Sequence, residues 1–96
     1  MQQDKWLEIE NRKKLLGAIA TVVIRHRLKM DISVNKISAE SSVNKATWLY
    51  IEKEGIKAPS IVALWKIAES FDMKPYELIK EIYDELGENF SLSGLN

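Results

Sequence analysis

Apolar residues along this chain recur at intervals of three, four and seven instead of alternating with polar ones, which is the spacing of helices and not of half-buried strands. Over residues 4–29, Trp6, Ile9, Leu16, Ala20 and Val23 keep to that spacing. Gly17 lies inside the stretch and favours a bend or a break there. Asp31 and Ile32 read as a turn, and Ser33 is an N-cap for a short second helix through about Ser41. Ser41, Ser42 and Val43 make a second tight connection. Asn44 is the next cap and opens a third helix through about Lys53. Gly55 ends it, and a loop runs to Pro59. Ser60 caps a fourth helix with the stripe Ile61, Leu64, Ile67, Ala68 and Phe71. After a turn at Asp72, Met73 and Lys74, Pro75 suits the first turn of a fifth helix. Its stripe is Leu78, Ile79, Ile82, Tyr83 and Leu86, and Gly87 stops it.

The expected architecture is all-α, a five-helix bundle with an extended N-terminal helix. Residues 1–14 form a helical extension, 15–87 the helical domain and 88–96 a polar, flexible tail. The expected core is Val23, Ile37, Val43, Trp48, Ile51, Leu64, Ile67, Ala68 and Leu78. Trp6, Ile9 and Leu16 at the front, with Ile82, Tyr83 and Leu86 behind, supply more apolar stripe than five short helices need. That surplus suggests self-association as a homodimer; the alternative is that the front helix folds back on its own domain.

Composition narrows the chemistry. The 96 residues suffice for one domain. With no cysteine and a single histidine, His26, neither a disulfide nor an ordinary multi-ligand metal site is expected, and no cofactor is called for. Glycines 17, 55, 87 and 94 form no phosphate loop. Glu77, Glu81, Asp84 and Glu85 read as a solvated face of the last helix, and no nucleophile–base arrangement stands out, so an enzyme is not expected. No apolar run is long enough for a bilayer, and the opening Met1-Gln2-Gln3-Asp4 lacks the basic patch and apolar block of a signal peptide. A cytoplasmic protein without membrane contact is the expectation. Net charge is zero, yet residues 1–58 carry 11 Lys/Arg against 7 Asp/Glu, whereas residues 59–96 carry 3 against 7. One half can face a polyanion while the other keeps the chain soluble.

The paired short helices at about 33–41 and 44–53, joined by a three- to four-residue turn, have the size and spacing of a DNA-reading helix-turn-helix. From Ile19 to Ile79 the chain resembles the phage-repressor/Cro family of helix-turn-helix regulators, also called the xenobiotic-response-element family. The resemblance rests on Ser33, Ile37-Ser38, Val43-Asn44-Lys45, Ile51-Glu52, Pro59-Ser60-Ile61, Leu64, Ile67-Ala68, Phe71, Met73 and Leu78. It implies a sequence-specific DNA-binding transcriptional regulator, a repressor acting as a dimer on double-stranded DNA. It also implies a salt link between Arg27 in the first helix and Glu52 at the end of the reading helix. The chain departs from the family pattern at several points. Val34 stands where a phosphate-contacting glutamine is frequent, Ser42 where the turn usually has glycine, and Trp48 where the core residue is usually aliphatic. Gly55 comes one place late.

A reading helix that starts at Asn44 presents Lys45, Ala46, Leu49 and Tyr50 to the major groove and turns Val43, Trp48 and Ile51 inward. Lys45 can donate to guanine, Ala46 and Leu49 can pack on thymine methyls, and Tyr50 can meet a phosphate or a base edge. Asn44 and Thr47 are placed for phosphates near the helix start. Asn35, Lys36, Lys53 and Lys57 are candidate backbone contacts that fix register without reading sequence. The alternative is a protein-interaction module, or an antitoxin, on a helix-turn-helix frame. Zero net charge, Val34 and the apolar Leu49 favour that reading.

Overall fold

Three of the four connections between helices turn on a polar residue in the left-handed region: Asp31 (φ 55°), Ser42 (φ 61°) and Asp72 (φ 57°); the fourth uses Gly55 (φ 59°). These positions end the helices of a computed structural model that describes residues 2–55 and 57–93, with side chains except at 2–5 and 54. Among the described residues there are five helices and no strand. They are α1 (Gln2–Lys29), α2 (Val34–Ser41), α3 (Lys45–Leu49, continued by a π-helical turn Tyr50–Glu54), α4 (Ile61–Ser70) and α5 (Pro75–Leu86). No helix among them is long and apolar enough to cross a membrane.

The N-terminal boundaries of α2–α5 follow from side chains that satisfy backbone amides. Ser33 accepts from the Lys36 amide at 3.1 Å, Asn44 from Thr47 at 2.9 Å and Ser60 from Ala63 at 3.0 Å. At α5 the Glu77 carboxylate reaches back to the Lys74 amide at 2.7 Å, behind Pro75. Both α1 and α4 close with paired bonds that satisfy their last carbonyls. Ile32 donates to Arg27 O and Asp31 to Leu28 O; Met73 donates to Ala68 O and Asp72 to Glu69 O. Gly17 does not break α1. The helix runs through it, and the Thr21 hydroxyl donates back to its carbonyl at 3.0 Å.

The core sits where α1 packs on α5 and on the π turn that ends α3, and where α4 packs on α2 and α5. Val22, Val23, Ile37, Trp48, Ile67, Ala68 and Leu78 are sealed from solvent, with Ile19, Val43, Ile51, Phe71 and Ile82 around them. Eight of the nine expected core residues are buried; Leu64 packs against the cluster as a half-buried residue. Leu16 and Ile82, expected as spare surface, are core residues, and Leu86 packs on the core. Of the expected tail, residues 94–96 lie outside the described residues. The preceding stretch lies against α1, where the Asn11 side-chain amide donates to Leu92 O at 3.5 Å and Phe90 is half-buried.

Ser42 joins α2 to α3 and carries a side chain at a φ that favours glycine. Ser42→Gly is expected to stabilise the fold by roughly 0.5–1 kcal/mol, read as a higher urea midpoint at unchanged slope. A lower midpoint would mean that the turn depends on the serine side chain.

Candidate functional site

The site is built on α3, and its register is set by Trp48. The indole is fully buried, and its Nε1 donates to Ser41 Oγ at 3.1 Å. The same hydroxyl accepts from the Val43 amide at 3.2 Å, so one buried oxygen ties the end of α2, the turn and α3 together. Trp48 meets the edge of Phe71 at 6.0 Å, and Phe71 stacks on His26 at 5.2 Å. These contacts brace α3 against α1 and α4. With Val43, Trp48 and Ile51 inward, Lys45, Ala46 and Tyr50 are exposed on the opposite face. Leu49, expected on that face, is half-buried, as is Thr47. Asn44 spends its carbonyl oxygen on the Thr47 amide, which leaves its side-chain NH2 for an outside partner.

Arg27 and Glu52 meet as the sequence led us to expect. Nε and one terminal nitrogen of Arg27 each donate to a carboxylate oxygen at 2.8 Å, and the other terminal nitrogen donates to Ile32 O at 2.8 Å. The Glu52 carboxylate is almost wholly buried, at 5% exposure. The hydrogen bonds to Glu52 raise the Arg27 pKa above its ordinary value, against the opposing effect of burial. This fork holds the end of α1, the turn after it and the last turn of α3 in one arrangement.

That last turn departs from the α-helix expected through Lys53. The Gly55 amide donates to Tyr50 O at 2.8 Å, an i→i+5 bond that widens Tyr50–Glu54 into a π turn closed by Gly55 in the left-handed region. Lys57, beyond it, places its ammonium 5.6 Å from the centre of the Tyr50 ring. Lys53 is exposed, as are Asn35 and Lys36 on α2. The exposed surface of α3 thus continues into lysines on both sides.

Two clefts flank this surface. One, of about 410 Å³, lies between Asn44, Ala46 and Tyr50 on α3 and Lys57, Pro59 and Ser60 beyond it. A smaller one, of about 170 Å³, brings Val62 and Lys66 of α4 beside Asn44 and Thr47. Charge counting placed Lys66 in the acidic half, yet its ammonium reaches Ser42 O at 3.5 Å, at the turn that leads into α3. Its position six residues beyond the Ser60 cap, on the face shared by Val62 and Ala63, was the signal in the sequence.

The basic half is less free than its sum implies. Arg25 pairs with Glu85 at 3.1 Å and Glu81 at 3.5 Å, and His26 Nε2 lies 2.8 Å from Glu81. Burial opposes ionisation of Glu81, but hydrogen bonds and charge from His26 and Arg25 outweigh it and hold the carboxyl below its ordinary pKa. The face of α5 expected to be merely solvated is therefore in use. Glu81 and Glu85 dock α5 on α1, Glu77 caps its own helix, and Asp84 pairs with Lys80 at 2.9 Å. Compared with family models, curated proteins and solved structures, the chain matches none.

Proposed function

We propose that this chain is a sequence-specific DNA-binding regulator of the phage-repressor helix-turn-helix type, a transcriptional repressor that acts as a homodimer on duplex DNA. The observation that carries the reading is the exposed face of α3. Lys45, Ala46 and Tyr50 stand outward on a short helix whose other side is fixed by Trp48, Ile51 and the Arg27–Glu52 fork. A reader of base edges needs this combination, since side chains must reach the groove from a backbone that does not shift. In this arrangement α2 lies across the phosphates with Asn35 and Lys36, and Lys53 and Lys57 reach them from the other end of α3.

The exposed Lys36, Lys53 and Lys57 set a modest electrostatic term, because Arg25 and Arg27 are already paired with carboxylates. Three neutralised phosphates per chain give a slope of log K against log salt of about −3 per chain. Fluorescence anisotropy on a duplex, titrated at several salt concentrations, is the test. Lys57→Ala should weaken all sequences alike and flatten the slope by about 1 per chain. Lys45→Ala and Tyr50→Ala should each cost on the order of 1–3 kcal/mol on the preferred duplex and little on a scrambled one. Binding that ignores salt would contradict the reading.

A second reading, a protein-interaction module or antitoxin on the same frame, has one observation in its favour. Ile61, Val62 and Trp65 stand 53–63% exposed on α4, with Val62 against the start of α3. An apolar patch of that kind suits a protein partner.

A further inference from the structure

The front of α1 and the groove behind it are an unmatched pair. Trp6, Leu7 and Ile9 stand 64%, 46% and 55% exposed, ahead of the point where α1 enters the core at Leu15 and Leu16. At 28 residues α1 is about 42 Å long, nearly the full 44 Å of the molecule's longest dimension. An apolar groove of about 400 Å³ runs between α1 and α5, walled by Leu15, Leu16, Ile19, Ile79, Ile82 and Tyr83. Pro59, Leu92 of the tail and one charged residue, Arg12, also line it. Ile79, Tyr83 and Leu92 are 43–51% exposed.

The arm cannot fill the groove of its own chain. One wall of the groove is α1 itself, and an unbroken helix carries Trp6 about 15 Å along its axis away from Leu16. We propose that a second copy of this chain inserts the front of its α1, led by Trp6 and Ile9, into this groove, and that the exchange is reciprocal about a two-fold axis. Self-complementary patches on one chain are what a two-fold interface requires. The area reaches the lower bound of a specific interface. Trp6 and Ile9, which share one side of α1, with the helix surface around them, matched by groove surface and doubled by symmetry, bury on the order of 1,000 Å² in total, the size of a weak, concentration-dependent dimer. The α3 face and its lysines are not used, so they stay open to another ligand.

This inference rests on the homodimer reading above and assigns its surface. Sedimentation of the full chain over a range of concentrations measures it. Trp6→Ala with Ile9→Ala should raise the dimer Kd at least tenfold, and Tyr83→Glu on the groove rim should do the same. Trp65→Ala on α4 should leave it unchanged. All these side chains are more than half exposed, so each variant is expected to fold, and circular dichroism checks that it does. Because the sequence has no cysteine, a mixture of Trp6→Cys and Ile79→Cys chains can also be oxidised. The mixed disulfide should form in preference to either same-variant product. A wild-type chain that stays monomeric at all concentrations overturns both the dimer and its surface. A dimer that withstands the arm and groove substitutions, or is broken by Trp65→Ala, overturns the surface alone.

Discussion

Trp48→Ala is expected to cost roughly 3–5 kcal/mol of stability, because the largest fully buried side chain leaves a cavity its neighbours cannot close. Those neighbours are held from several directions. Phe71 is fixed by its stack on His26, and Ser41 by the Val43 amide and its own bond to Ser38 O. Ser41 keeps these partners when the indole is gone, so the loss is dominated by the cavity rather than by an orphaned hydroxyl. A domain of this length has about 5–14 kcal/mol in all, and the variant therefore approaches the unfolding threshold. Trp48→Phe retains most of the volume but not the N–H, and should cost about 1–2 kcal/mol. Urea unfolding followed by far-ultraviolet circular dichroism checks both. A loss below about 1 kcal/mol for Trp48→Ala would mean that the indole is not in the core, and the register of α3 with it.

Removing Arg27 is expected to cost a similar amount for an electrostatic reason. Arg27→Ala strands a nearly buried Glu52 carboxylate and takes the donor from Ile32 O, a loss of roughly 3–5 kcal/mol. Arg27→Lys should recover only part of it, since an ammonium cannot make the two parallel bonds of the fork. The pair itself is worth much less than either half. Arg27→Met combined with Glu52→Leu removes both charges and should lie within about 1–2 kcal/mol of the wild type. If Arg27→Ala and the double variant are equally unstable in urea, the fork is a packing contact and not a compensated charge pair.

Most of the fold was legible because its punctuation is local. Ser33, Asn44 and Ser60 act through bonds to an amide three residues on, and Asp31, Ser42 and Asp72 act through their own backbone angle. A single sequence states such features directly. The inward turn of Trp48 and the Arg27–Glu52 link were also within reach, the first by period and the second by resemblance. What escaped depends on the crossing of distant helices. Glu81 and Glu85 read as solvated until α5 is laid on α1, where Arg25 and His26 await them. Leu16 and Ile82 read as surplus for the same reason, and Lys66 lost its place beside Ser42 to a charge count. Gly17 reads as a bend or a break from its propensity alone. Its local cost is small against the packing of Leu16, Ile19, Val22 and Val23 along the same helix. The π turn lies between these cases. Gly55 stands one residue later than the resembled family places its glycine, and an i→i+5 closure takes up one residue more than an α turn. The displacement was visible, but its structural meaning was not.

If the exposed face of α3 reads DNA sequence as proposed, selection of bound duplexes from a random pool at low salt, with wild-type protein beside Lys45→Ala, will show it. The wild type is expected to enrich a site with two half-sites about one helical turn apart, and Lys45→Ala to bind DNA still but lose preference at one position in each half. A wild-type protein that enriches no sequence, with Leu49 and Tyr50 found against a protein partner instead, would contradict it.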